Sequence, residues 1–369
     1  YKAAFHLAKY PGEDTEKALF TLLSSKSHHQ SILIAKRKAV DVLAQLQCIN
    51  SIPLILGCLE SDDNYLVENS IYALITLGYK DKKFIDILIK LISKDFPNKR
   101  ILIRSLAMLD AIDAVPLIRS ILSQSIEKGL RGSCIAAISK LDGDSEKLYE
   151  IHDHLFSSNQ NDRYLAVQDA MDSGSNFLLE KVLNCPVSPL FRVRALEKLF
   201  VDLPSFDQIN FLEKLDSLIL DNPSNIIIIQ DDFKSTSIEA LVKELFNVDF
   251  NRCYLSLKIL KNLDVKDIWP LLFSYWNKAL TDYGAIYFFS LLFRLFDDWD
   301  DISLSEIKYF LCSSLGTNWP SNMKFRPSSI LTMIKLFPFE SIAYLPTWMS
   351  DSETPFWLCR YAALLGLEK

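Results

Sequence analysis

Three polar segments interrupt an otherwise apolar pattern, and each sets rings, carboxylates or arginines at helical spacing. The first is SDDNYLVENSIYAL, residues 61–74. Wound as a helix from about Tyr65 to Leu77, it puts Val67, Ser70, Ile71 and Leu74 on a packing stripe. Tyr65, Glu68, Asn69 and Tyr72 turn the other way. The second is NQNDRYLAVQDAMD, residues 159–172, where Asp162, Asp169 and Asp172 fall along one side with Arg163 and Gln168 nearby. The third is a set of arginines near repeat starts: Arg100, Arg104, Arg131, Arg163, Arg192 and Arg194. Arginines and carboxylates beside aromatic rings suit an elongated ligand with anionic arms and a polar, conjugated body. Each segment also has a plainer reading. The first is a capped helix with a solvated face, the second an Asp162 N-cap with ordinary charge pairing. In that plainer picture the arginines cap helix ends and pair with acids of the next repeat.

Other chemistries leave no trace. There is no Walker loop, no G-x-G-x-x-G, no G-x-S-x-G and no C-x-x-C. Histidines stand at 6, 28, 29, 152 and 154, none followed by Glu. His28-His29 and His152-x-His154 lack an obvious third ligand, so no metal site is expected. A net charge of -6 argues against nucleic acid, which needs a basic surface. The seven cysteines sit mostly in apolar helical runs without pair spacing, as buried thiols in a reducing compartment would. The most apolar run, GAIYFFSLLFRLF, is too short to span a bilayer and is broken by Arg294, so no membrane insertion is expected. No signal peptide is visible, and the opening at Tyr1, in mid-pattern, leads us to expect an upstream segment.

Helices must position these residues. Only 10 of 369 residues are Gly, 49% are hydrophobic, and Leu, Ile and Ala abound. A small residue followed four positions later by Leu, Ile or Ala recurs at Ala3, Ala39, Ser70, Ser105, Cys134, Ala166 and Ala195, 29 to 36 residues apart. Each such helix is followed by a break and a second apolar helix, as in SIPLILGCLES, KKFIDILIKLIS and AVPLIRSILSQ. Pro11-Gly12, Gly78, Pro97, Gly143 and Gly174 punctuate the breaks, while Pro53 and Pro116 fall in first turns of second helices. The period and the pairing predict an all-α fold, an α-solenoid (superhelix) of HEAT-like helical repeats. We expect a regular array over 1–200 and a less regular helical part over 201–369, continuous with the first. Residues 201–233 blur, with DNPSN as a turn and IIII as a buried run. A solenoid of this kind offers a concave face to an extended ligand or another protein.

On these residues the chain resembles a known family, the E/F-type phycobilin lyases of cyanobacteria, which are HEAT-repeat proteins. Tyr1-Lys2-Ala3-Ala4-Phe5-His6-Leu7 is similar to that family's YYAAWWL motif, matching at Tyr1, Ala3, Ala4 and Leu7. SDDNYLVENSIYAL, NQNDRYLAVQDAMDSG, RGSCIAAISKLDG and PVSPLFRVRAL resemble strings of the branch acting on phycoerythrin α subunits. The likeness runs to about residue 200 and, more weakly, through WPLLFSYWNKAL to the end. The lyase-isomerase NHCQGN motif has as its nearest counterpart Asn251-Arg252-Cys253-Tyr254-Leu255-Ser256, which keeps Asn and Cys and leaves isomerase activity open.

The resemblance implies an enzyme that joins phycoerythrobilin by a thioether to a cysteine of a phycoerythrin α subunit, with isomerisation to phycourobilin as a further step. The bilin is substrate; no prosthetic group is implied. The implied partners are the phycobiliprotein α subunit and the bilin, with room for a second lyase subunit or a homodimer. The implied location is the cyanobacterial cytoplasm. Propionates want arginines, for which Arg104, Arg131 and Arg163 are the candidates. Pyrrole N–H groups and proton transfer want a carboxylate: Asp63, Glu68 or Asp169. Tyr65, Tyr72 and Trp276 are candidate walls, with Asn69 and Gln168 as polar contacts. Cys253 is a candidate for transient bilin contact or acid–base work, or else a buried helical thiol. Two other readings stay open: a non-catalytic scaffold or chaperone for a phycobiliprotein subunit, and a HEAT-repeat DNA glycosylase with a local basic groove.

Overall fold

A computed structural model describes residues 2–27, 29–94, 96–201, 207–229, 237–316 and 324–368. It is all-α, with no strand among the described residues. The chain divides into two compact units, Tyr1–Leu148 and Tyr149–Lys369. That division falls inside the stretch expected to form the regular array.

The first unit runs α1 (Lys2–Leu7), α2 (Glu13–Ser24), α3 (Gln30–Gln45), α4 (Ile52–Cys58), α5 (Asn64–Thr76), α6 (Lys82–Ser93), α7 (Lys99–Met108), α8 (Val115–Leu122) and α9 (Lys128–Asp142). It is a two-layer stack. The odd-numbered helices pack successively on one another, and each even-numbered helix packs on the odd one that follows it. Sequence dictates this locally. Asp63, Asp81 and Asn98 accept hydrogen bonds from first-turn N–H groups and start α5, α6 and α7. Pro53 and Pro116 sit in the first turns of α4 and α8, where a missing N–H costs nothing. Gly78 and Gly143 take positive φ at the ends of α5 and α9. The small anchors Ala39, Ser70, Ser105 and Cys134 are all fully buried, letting neighbouring helices approach. Around them Leu43, Ile55, Ile71, Leu74, Leu88, Leu102 and Ile118 are buried, each contributing roughly 1.5–3 kcal/mol by removal from water. One anchor shifts register: Ala3 is exposed and Ala4 is the buried residue of α1. Tyr1 lies outside the described residues.

In the second unit α10 (Leu148–Leu155) leads to α11 (Gln160–Ser173), α12 (Leu179–Leu183), α13 (Pro189–Val201), α14 (Gln208–Leu220), α15 (Ile238–Glu244), α16 (Phe250–Leu260) and α17 (Val265–Ala279). Then come α18 (Tyr283–Arg294), α19 (Asp301–Leu315), α20 (Arg326–Leu336), α21 (Pro338–Ser341), α22 (Leu345–Met349) and α23 (Trp357–Glu368). Helix pairing continues here: α18 and α23 both pack on α20, and α12 and α14 on α13. Three expectations are corrected. Asn159, not Asp162, caps α11, because the Asn159 side chain accepts from Asn161 N while Asp162 accepts the Ser157 hydroxyl. The blurred stretch contains the regular helix α14. The isoleucine run after it is no buried run, since Ile226 is buried but Ile227 is 41% exposed. Residues 202–206 and 230–236 of that stretch lie outside the described residues.

Candidate functional site

In the first unit the odd-numbered helices carry a row of aromatic–cation pairs. On α5, Tyr65 and Tyr72 stand seven residues apart, two helical turns, and are 64% and 41% exposed. The Arg37 guanidinium of α3 lies over the Tyr65 ring at 4.7 Å from its centroid. Asp63 fixes that guanidinium, accepting from Nε and Nη2 at 2.8 Å each, while Oδ1 also accepts from the Tyr65 and Leu66 N–H groups. Asn69 donates to the Arg37 carbonyl at 3.2 Å, tying α5 to α3. Further along, Arg104 Nη1 of α7 donates to the Tyr72 hydroxyl at 3.3 Å. Lys38 lies over the exposed ring of Phe5 at 5.1 Å and also pairs with Asp41 at 3.3 Å. Glu68, half-buried, sits on α5 between the two tyrosines.

Six sequence-derived candidates therefore gather on one unit: Asp63, Tyr65, Glu68, Asn69, Tyr72 and Arg104. They divide by duty. Asp63 is committed to Arg37 and to the helix cap, so it positions. Glu68 is the α5 carboxylate outside that lattice. Exposed rings flanked by guanidinium groups offer flat apolar area and an anion contact together, which fits a conjugated, carboxylate-bearing ligand. Arg37 was missed in the sequence. Its signal was its place two residues before the Ala39 anchor, level with Glu68 before Ser70.

The remaining candidates have internal duties. Arg131 is half-buried and donates to the Leu122 carbonyl at 3.2 Å. Arg163 is fully buried; it donates to the carbonyls of Ser157 and Ser158 and pairs with Asp249, the cap of α16. Asp169 is 1% exposed on α11, and Gln168 donates to Asp172 at 2.8 Å. Trp276 is 5% exposed and packs edge-on against Phe310 at 4.9 Å, within a cluster that includes Trp269 and Phe293. It is a core residue of the second unit rather than an open wall. Cys253 is fully buried and donates to the carbonyls of Glu244 and Asn247. Burial, with Asp249 and Glu244 nearby, pushes its thiol well up, away from thiolate chemistry. For Cys253 the buried-thiol alternative is the one realised. Among the described residues no three His, Cys, Asp or Glu gather as a metal site. His28 lies outside those residues, and His29 caps α3.

The second unit holds a polar centre built on Asp221, a residue the sequence did not single out. Asp221, in left-handed backbone at the end of α14 (φ 46°), is 2% exposed. It accepts from Arg192 at 2.7 Å, from the Tyr254 hydroxyl at 2.6 Å and from the Tyr287 hydroxyl. Burial pushes both phenols well above their ordinary range. This centre pins α13, α14, α16 and α18 together.

No family model matches the chain. The bilin biosynthesis protein CpeY of Synechococcus sp. strain WH8020 is 38% identical over 371 residues, covering 100% of this chain and 88% of that one. An uncharacterized phycocyanin operon protein Y of Pseudanabaena tenuis strain PCC 7409 is 26% identical over 381 residues, covering 100% and 86%. Among solved structures, the complex of CpcE and CpcF of phycocyanin lyase from Nostoc sp. PCC7120 superimposes with a TM-score of 0.51 at 24% identity, over 59% of this chain and 88% of that one. That superposition bears out the helical-repeat fold. With its 38% identity to CpeY along the whole of its length, the chain belongs to the E/F-type HEAT-repeat phycobilin lyase family.

Proposed function

We infer that this chain is a phycobilin lyase that attaches phycoerythrobilin to a cysteine of a phycoerythrin α subunit. Full-length likeness to a bilin biosynthesis protein carries the reading, and the aromatic–cation face of the first unit supports it. The chemistry is an addition. The acceptor thiol's sulfur bonds to the bilin A-ring substituent, and the thiol proton ends on the tetrapyrrole, so no oxidant is needed. On this reading Tyr65 and Tyr72 flank the conjugated rings, and Arg104 holds a propionate. Glu68 faces the pyrrole N–H groups and keeps the tetrapyrrole protonated and electrophilic. Asp63 and Asn69 hold Arg37 and Tyr65 in place. Conversion to phycourobilin is the finer step of the same proposal.

The test is co-expression with a bilin-producing pathway and a phycoerythrin α subunit, followed by absorption of the purified acceptor. Covalently bound phycoerythrobilin is the expected result, and a blue-shifted, urobilin-like spectrum adds the isomerase step. An acceptor without pigment sinks the lyase reading and favours a scaffold for the subunit. Arg104→Ala should lower transfer at least tenfold with circular dichroism unchanged. Wild-type transfer by that variant removes Arg104 from the site.

A further inference from the structure

Arg294 ends α18 and lines a cavity of about 490 Å³ within the second unit. Its Nη2 donates to the Leu220 carbonyl at 2.6 Å. Its Nη1 is buried and makes no hydrogen bond, and no carboxylate among the described residues forms an ion pair with it. Asp221, which acts on it through space, is already held by Arg192 and two tyrosine hydroxyls. Among the described residues the other cation of the cavity wall, Lys335, donates to the Arg294 carbonyl at 2.8 Å and is balanced by Asp297 at 2.6 Å. The rest of the lining is largely apolar: Leu331 and Ile334 from α20, Leu365 and Leu367 from α23. Gly366 also lines the cavity and lets α23 close on α20, since a Cβ there would stand 2.8 Å from Ile334 Cδ1.

Arg294 is half-buried, and a guanidinium whose Nη1 is buried without a partner is costly to keep beside a low-dielectric apolar wall. A volume of this size is that of a small-molecule site. We propose that the cavity binds an apolar molecule bearing a carboxylate, with the carboxylate at Arg294 and the apolar body against the wall that α20 and α23 form. Two sources share that chemistry, the propionate arm of a bilin and the headgroup of a fatty acid. This site is separate from the face on the first unit and stands without the lyase reading.

The test uses the whole chain, titrated calorimetrically with dodecanoate, dodecanol and free phycoerythrobilin. At least one carboxylate probe binds, and dodecanol binds at least tenfold more weakly than dodecanoate where that is the probe taken up. Arg294→Gln weakens the bound carboxylate at least tenfold, while Arg294→Lys recovers part of the loss. Leu367→Trp, at an exposed rim position, also weakens it with circular dichroism unchanged. Bilin displaced by dodecanoate supports one site open to both; binding of only one assigns the source. Equal affinity for dodecanol and dodecanoate overturns the proposal, as does no uptake of either carboxylate. So does wild-type carboxylate affinity in folded Arg294→Gln or, should that variant misfold, in Leu367→Trp. Bilin transfer measured on the same variants is a separate readout, so loss of this site and loss of lyase function remain distinguishable.

Discussion

Ser70 and Ser105 occupy equivalent anchor positions in consecutive repeats and are both fully buried, yet they differ in energy. The Ser70 hydroxyl donates to the Leu66 carbonyl at 2.7 Å, whereas the Ser105 hydroxyl finds no partner. A buried hydroxyl left unsatisfied costs about 1–3 kcal/mol. Ser105→Ala should therefore be neutral or stabilising, by up to about 1 kcal/mol, and Ser70→Ala should destabilise by about as much. Urea unfolding of the two variants checks this; equal losses in both would refute it. At Asp221 the stakes are larger. Asp221→Ala leaves Arg192 buried with its charge unbalanced, a loss of about 3–5 kcal/mol, which should appear as a lower urea midpoint without a change of slope.

At the scale of the element, α5 shows how a helix converts sequence register into a surface. Its cap is also its anchor to α3, since the Asp63 carboxylate serves both the first-turn N–H groups and Arg37. Asn caps about as well as Asp but cannot balance Arg37. Asp63→Asn should thus cost about 1 kcal/mol for the lost ion pair, and Asp63→Ala about a further 1 kcal/mol for the lost cap. Thermal melts ranking Asn at or below Ala would contradict that division. The same register explains what could be read in advance. Arg131, Arg163 and Arg192 each stand three residues before their anchors and so share the packed side of the helix. Each bonds a backbone carbonyl of a preceding segment. Arg104 stands one residue before Ser105, turned to the open side, where it meets Tyr72. Residue type alone grouped these arginines; helical phase separates them. The helix pairs and breaks, and the Asp63 cap of α5, were legible because they are local; the cap of α11 was misplaced by three residues, at Asp162 for Asn159. Asp221 was not, because its partners Tyr254 and Tyr287 lie 33 and 66 residues away. Nor was Trp276, because an aromatic at helical spacing looks alike whether it lines a groove or fills a core.

Across the whole molecule the buried thiols and phenols lean one way. Burial raises the thiols of Cys185 and Cys359 to about 12 and pushes Cys253 higher still. It also raises the phenols of Tyr254 and Tyr287 well above their ordinary value of 10.0. The carboxylates held low, Asp144, Glu239, Asp300 and Glu340, are at the surface, where solvent screens the effect. A raised folded-state pKa gives stability that is present below the unfolded value and lost as pH rises through the folded one. The unfolded thiols ionise near 9.0 and the phenols near 10.0. Stability should therefore hold from neutral pH to about 9 and then fall, each group adding about 1.4 kcal/mol per pH unit once its unfolded form is ionised. Domain stability is about 5–15 kcal/mol, so three thiols and two phenols acting together should bring the unfolding midpoint down sharply between pH 9 and 11. Acidification from pH 7 to 5 should change it little by comparison. Urea unfolding under reducing conditions at half-unit pH steps measures both limbs, and Tyr254→Phe should flatten the alkaline limb above pH 10 while lowering stability at pH 7. An alkaline limb as shallow as the acid one would mean that these thiols and phenols are reached by water in the folded chain.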